Sequence, residues 1–376
     1  MNELELQKDA SIQKFQVYTE GEGVHWVPSF QLEVLHIANC KSNAPRATLP
    51  NFLSYQHDLK YLDLSKNNLV VTFPMWLLVN NKNLRSLIPH NNKFTGHFEL
   101  PTNVDQNPHR LYDLQIANNK MSGKLPPRIG QIMPNLMYLD LSGNGFDGSI
   151  PTSVGNMSDL FALDLSRNNF SAEVPKSLRT EVINLSGNKF GGALPRELCK
   201  LNLWRLHLSH NNFSGSIPAC YVNIKNLISL HLQSNNLVGS IPWLNKSRSF
   251  LTTLDLRDNN LSGNIPDWFD TRSPSLRALL LGGNHLQGQL PNQLCQLKHV
   301  NYLDLSRNNL TGNVPSCYNN VSFGKWIWRF PPSSTTLILT DSWYQYPQLD
   351  LQLYFEQNYY DISTEYGEVV EFRTKA

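Results

Sequence analysis

The chain has 376 residues and a formal net charge of +2, with 40% hydrophobic and only 16% charged residues. Lys and Arg are scattered rather than clustered, so neither nucleic acid nor an anionic membrane surface is indicated as a partner. No apolar run is long enough to span a bilayer, and the acidic opening Met1-Asn2-Glu3-Leu4-Glu5 lacks the hydrophobic region of a signal peptide.

Residues 1–31 read as a partial leading region. From Leu32 a frame recurs: Leu32…Leu35-His36-Ile37…Cys40, then Leu59…Leu62-Asp63-Leu64…Asn67, and later Leu136…Leu139-Asp140-Leu141…Asn144 and Leu251…Leu254-Asp255-Leu256…Asn259. The period is roughly 24 residues and gives about twelve units over 32–320. Two leucines flanking one polar residue place both leucines on one face of a short strand. One such coil cannot bury its leucines alone, so the coils must stack in parallel, over a length on the order of 55 Å.

After each strand comes an asparagine: Asn67, Asn92, Asn119, Asn144, Asn168, Asn188, Asn211, Asn235, Asn259, Asn284 and Asn308. Its amide is expected to satisfy backbone groups of adjacent turns that would otherwise be buried unpaired. A second block follows, as in Asn212-Phe213-Ser214-Gly215-Ser216-Ile217-Pro218. Its glycine permits a tight turn, and its proline fixes an extended backbone. Local irregularities are expected where Cys40 replaces the asparagine, Pro89 a core strand residue, and Val71 and Ala172 the glycine, and where Thr180 opens a short unit.

Cys199 and Cys220 lie at matching offsets from Pro195 and Pro218, and Cys295 and Cys317 repeat those offsets from Pro291 and Pro315. Equivalent points on adjacent coils come close enough for two disulfides, Cys199–Cys220 and Cys295–Cys317, each worth about 3 kcal/mol. Asn-x-Ser/Thr sequons at Asn156, Asn169, Asn184, Asn212, Asn245, Asn260, Asn309 and Asn320 add to the argument for a secreted context. Of these, Asn156, Asn212, Asn245, Asn260, Asn309 and Asn320 are the expected glycosylation sites.

The Gly-x-Ile-Pro block, as in Gly148-Ser149-Ile150-Pro151 and Gly239-Ser240-Ile241-Pro242, resembles the plant-specific class of extracellular leucine-rich repeats. Trp26-Val27-Pro28-Ser29-Phe30-Gln31-Leu32, Tyr55-Gln56-His57-Asp58-Leu59 and Phe73-Pro74-Met75-Trp76-Leu77-Leu78 are similar to the middle of plant receptor-like proteins. Pro315-Ser316-Cys317-Tyr318-Asn319-Asn320-Val321-Ser322-Phe323-Gly324 resembles the repeat before their island domain. The resemblance implies an α/β-type solenoid, a leucine-rich-repeat right-handed superhelix with a parallel β-sheet on its concave face. Residues 321–376, rich in aromatics such as Trp326, Trp343 and Tyr359, would form an irregular, truncated island-like segment. It further implies a cell-surface receptor at the plasma membrane, extracellular face, binding a peptide or protein ligand. Such receptors act in defence or developmental signalling with leucine-rich-repeat co-receptor and adaptor receptor kinases. Without a leading cap, signal peptide or transmembrane helix, the chain reads as a partial gene model, a truncated copy or a splice form. A soluble apoplastic inhibitor or decoy is the alternative.

Between the strand leucines most units carry Asp then Ser. The middle units carry Trp204, Arg205, His207 and His210, then His231 and Gln233, then Asp255 and Arg257. Aromatic and Arg side chains are the usual anchors of interfaces, so these residues form the candidate ligand surface on the concave face. The histidines are joined by no carboxylate or cysteine in a zinc pattern, and no nucleophile, phosphate loop or kinase motif is present. No metal, cofactor or enzymatic activity is expected.

Overall fold

The computed structural model describes residues 3–5, 28–39, 49–99, 110–242, 250–267, 269 and 275–317. They belong to one compact unit, Met1–Lys325. The expectations for Cys40, Asn245, Asn320 and residues 321–376 lie outside the described residues, as do most of those for 1–31.

Each Leu-x-Leu segment is a three-residue strand, and parallel pairing in sequence order makes a 13-stranded front sheet. The strands from Val34–His36 to Tyr302–Asp304 correspond to the repeat frame; the further strand, Glu3–Glu5, pairs with Val34–His36 and is not announced by that frame. Register is conserved from coil to coil, as in Arg205↔Ser229, Leu206↔Leu230 and His207↔His231. The inward leucines Leu139, Leu163, Leu206, Leu230 and Leu254 are buried to 1% exposure or less and belong to one continuous core.

Little helix returns the chain between strands. Trp76–Asn80 and Ile129–Ile132 are the α-helices among the described residues, and short 3-10 turns such as Arg196–Lys200 serve other coils. The second block instead forms a 10-stranded parallel back sheet, which the sequence pattern did not announce. Its glycines hold positive φ, 75° at both Gly148 and Gly215, where an L side chain is strained. The rings of Phe146, Phe170, Phe190 and Phe213 stack under it at centroid spacings of 6.2–6.4 Å.

The asparagines act as expected. Asn235 donates Nδ2 to the carbonyls of Leu208 in the preceding coil (3.0 Å) and Leu232 in its own (3.1 Å). Its Oδ1 accepts the Phe213 N–H at 3.0 Å. Each coil thus satisfies buried backbone of the previous one, so an asparagine is needed at every step. The irregularities have local solutions. Pro89 offers no N–H, and pairing between Ser86–Ile88 and Asp113–Gln115 shrinks to two residue pairs where neighbouring coils have three. Thr180 is buried in place of leucine, with its hydroxyl donating to the Phe161 carbonyl at 2.6 Å. Ala172 holds the glycine-like turn at φ 71°, whereas Val71 is absent from the positive-φ positions and its coil keeps only a Thr72↔Thr95 bridge.

Both expected disulfides are formed, Cys199–Cys220 with Cα atoms 5.7 Å apart and Cys295–Cys317 at 5.9 Å. They join the short turns of successive coils.

Candidate ligand-recognition surface

Because the front strands are in register, equivalent positions form rows across the coils. One row runs Asp140, Asp164, Asn184, His207, His231, Asp255, Leu280, Asp304. Where this position is Asp or Asn, its Oδ1 accepts the N–H two residues on: Ser142 to Asp140 at 2.9 Å, Ser166 to Asp164 at 2.8 Å, Ser186 to Asn184 at 3.1 Å. The recurrent Asp-x-Ser is therefore a local turn device that the repeat uses for itself.

Strands about 4.8 Å apart crowd short side chains beneath longer neighbours. Asp140 is 8% and Asp164 6% exposed. Burial first, then the charge of Asp140, pushes the Asp164 carboxyl up to about 7. Burial likewise raises Asp113 to about 6, against hydrogen bonds from Gln115 and Ser86.

In the middle coils His207 and His231 take the carboxylate position. Their ring centroids are 4.1 Å apart, and His207 Nε2 lies 3.0 Å from Ser229 Oγ. Burial, followed by the charges of His231 and Arg205, holds His207 well below the usual imidazole range, so it is neutral at mildly acidic pH. Arg257 grips Asp255 through two bonds, Nε to Oδ1 at 2.9 Å and Nη2 to Oδ2 at 2.6 Å. Asp255 has no exposed surface, which corrects its reading as a ligand-facing residue: it positions Arg257. Gln233 is also buried, 7% exposed, yet its Oε1 has no hydrogen-bond partner. His210 is exposed and in the left-handed region, φ 52°, at the turn before Asn211 and outside this cluster.

At the other end of the same strands lies an open hollow of about 460 Å³, lined by Trp204, Asn226, Ile228, Phe250, Thr252 and Ser275. Trp204 is 39% and Phe250 59% exposed, while the Trp204 ring meets Phe161 edge-on at 6.3 Å. Phe161 in turn meets Tyr138 at 5.8 Å, so an aromatic strip leads along the strand starts to the hollow. Sequence reading found Trp204 but missed Phe250, Ile228 and Phe161. The signal was the residue just before each strand, a position the leucine frame leaves unconstrained. Among the described residues no group of His, Cys, Asp or Glu could hold a metal ion, and no helix is long and apolar enough to cross a membrane.

Of the sequons, Asn156, Asn169, Asn212, Asn260 and Asn309 are exposed. Asn184 is buried and donates to Asp164 Oδ2 at 3.0 Å.

Comparisons with known proteins agree with this geometry. Residues 109–170 and 249–310 match one Leucine rich repeat family, and 58–80, 179–201 and 202–223 match a second of the same description. Receptor-like protein 13 of Arabidopsis thaliana is 36% identical over 194 residues, which cover 51% of this chain and 15% of that protein. The matched stretch is thus a small part of such a relative's length. Among solved structures, the plant peptide hormone receptor RGFR1 in complex with RGF2 superposes with a TM-score of 0.64 and 27% identity, covering 77% of this chain and 50% of that one. The Arabidopsis receptor kinase HAESA, in complex with the peptide hormone IDA and the co-receptor SERK1, gives 0.63 and 30%, covering 77% and 52%.

Proposed function

Since the chain belongs to the leucine-rich-repeat family, as a member of the plant receptor-like kind, we propose that it recognises a peptide or protein ligand on its front sheet, centred on the coils from Trp204 to Arg257. The observation that carries this reading is the pairing, on adjacent coils, of an exposed aromatic hollow with a buried acceptor, Gln233 Oε1, that no protein donor reaches. An unpaired buried acceptor costs about 1–3 kcal/mol, a cost recovered when a ligand supplies an N–H or O–H. A hollow with Trp204 and Phe250 on its wall accepts an apolar side chain of the same ligand.

Residues 32–320 act as the recognition unit in this reading. The setting is the extracellular face of the plasma membrane, in defence or developmental signalling, with co-receptor and adaptor receptor kinases as partners. The structural relatives solved with peptide hormones, one of them with a co-receptor, support it.

A displayed random-peptide library selected against the secreted, disulfide-bonded chain tests the proposal. Selected peptides should lose at least about tenfold in affinity for Trp204→Ala and for Gln233→Leu, since interface anchors are commonly worth 2 kcal/mol or more. Unchanged affinity in both variants, with their folds intact, would sink it.

A further inference from the structure

Four of the exposed sequon asparagines occupy one structural position. Asn169, Asn212, Asn260 and Asn309 are each the first residue of a back-sheet strand, in Asn169–Ala172, Asn212–Ser216, Asn260–Asn264 and Asn309–Leu310. The strands between them, Lys189–Ala193, Asn236–Gly239 and His285–Gly288, have no sequon. Asn236 comes within one residue of one, but Val238 stands where Ser214 and Ser262 stand in the neighbouring coils. The acceptors therefore recur on every second coil.

The back sheet spaces them further. Its pairing is staggered, with Asn236 beside Ser214 and Asn260 beside Val238, two residues from the equivalent position. Strand separation near 4.8 Å and a rise of about 3.3 Å per residue then place successive acceptors on the order of 16 Å apart. Each side chain ends in solvent, with room for a bulky adduct. On the front sheet the contrast is complete among the described residues: its one sequon, Asn184, is buried and bonded to Asp164 and Ser186. The Cys199–Cys220 and Cys295–Cys317 bonds independently place the chain in an oxidising compartment, the setting in which N-glycans are added.

We infer that Asn169, Asn212, Asn260 and Asn309 carry N-linked glycans in single file along one margin of the back sheet, leaving the front sheet bare. The row covers the margin of parallel strands that a partner chain would otherwise meet. It directs protein contacts to the glycan-free front face. This inference stands on sequon geometry and the disulfides, so it survives or fails independently of the ligand reading.

The test is peptide mass spectrometry of the full chain, secreted through a eukaryotic pathway, after enzymatic deglycosylation in heavy-oxygen water. Labelled Asp is expected at three or more of the four positions, with Asn184 unmodified. Occupancy at two or fewer, or a glycan on Asn184 in folded material, overturns the inference. Val238→Ser supplies a second arm by completing a sequon at Asn236, also exposed. That variant should be secreted and gain mass corresponding to one further glycan. Loss of secretion, or an unmodified Asn236, would show that this margin does not admit glycans.

Discussion

Two stretches of the front sheet share one backbone and differ in chemistry. In the coils around Asp140 and Asp164, the strand carboxylates serve the chain itself, each accepting an N–H two residues on. Around His207 and His231 imidazoles replace the carboxylates, and one buried acceptor, Gln233 Oε1, is left over. The first stretch is self-satisfied, whereas the second has lost part of its internal satisfaction and gained an aromatic hollow. Departures from a repeat's own economy mark where something outside the chain completes it.

The largest expected effect tests whether the scaffold beneath both stretches is uniform. Asn235→Ala would strand the Phe213 N–H and the Leu208 and Leu232 carbonyls. Asn144→Ala would do the same to the Met121 N–H and the Ile116 and Leu141 carbonyls. At about 1–3 kcal/mol for each buried orphan, both should destabilise by roughly 3 kcal/mol or more. Urea unfolding should show similar losses; a markedly smaller loss at Asn235 would mean that the two scaffolds differ.

Titration separates the stretches next. Asp164 is raised to about 7 in the fold by burial and by Asp140. Its stabilising contribution is therefore full below the unfolded carboxylate range near 4 and is lost as pH rises towards 7. His207 has the opposite sign: its folded value is depressed, so its contribution is present above about 6.5 and is lost as pH falls. Asp164→Asn should flatten stability between pH 4 and 7 by on the order of 2 kcal/mol, and His207→Asn should reduce the loss on the acid side. Melting curves across pH read both. An unchanged Asp164→Asn profile would show that this carboxylate titrates normally.

A smaller effect is expected at Gln233. Replacing the orphan amide by an apolar side chain of similar size, Gln233→Leu, should raise the stability of the free protein by about 1 kcal/mol while weakening ligand binding. Destabilisation by that amount would show that the acceptor is already satisfied.

These contrasts were only partly legible in the sequence. Leucine spacing, the asparagines and matched cysteine offsets are dictated by stacking, so the front sheet and both disulfides could be read from one chain. The back sheet was missed because its strands alternate small and polar residues around one buried ring, as in Asn212-Phe213-Ser214-Gly215-Ser216, a pattern that also describes a turn. The middle coils stood out by residue type. Burial could not be read, since whether Asp255 or Gln233 meets solvent depends on neighbours a full coil away. Phe250 stayed hidden because nothing in the repeat constrains its position.

The smallest predicted effect sits in the coil that carries Asp164. Ala172 adopts φ 71° where Gly148, Gly192 and Gly215 hold 75–78° in equivalent turns. Left-handed backbone costs a residue with a Cβ about 1–2 kcal/mol, and glycine returns part of that through its more flexible unfolded state. Ala172→Gly should therefore stabilise by about 0.5–1 kcal/mol without moving the pH profile, since the turn lies on the back sheet, away from the carboxylates. Val71 provides the opposite control. It also stands where the repeat expects glycine, but its backbone is not left-handed and its side chain packs against the core. Val71→Gly should lose stability, through lost burial and added backbone freedom. If chemical unfolding shows both substitutions moving the same way, the local backbone does not decide the tolerance of this turn, and packing of the small side chain does.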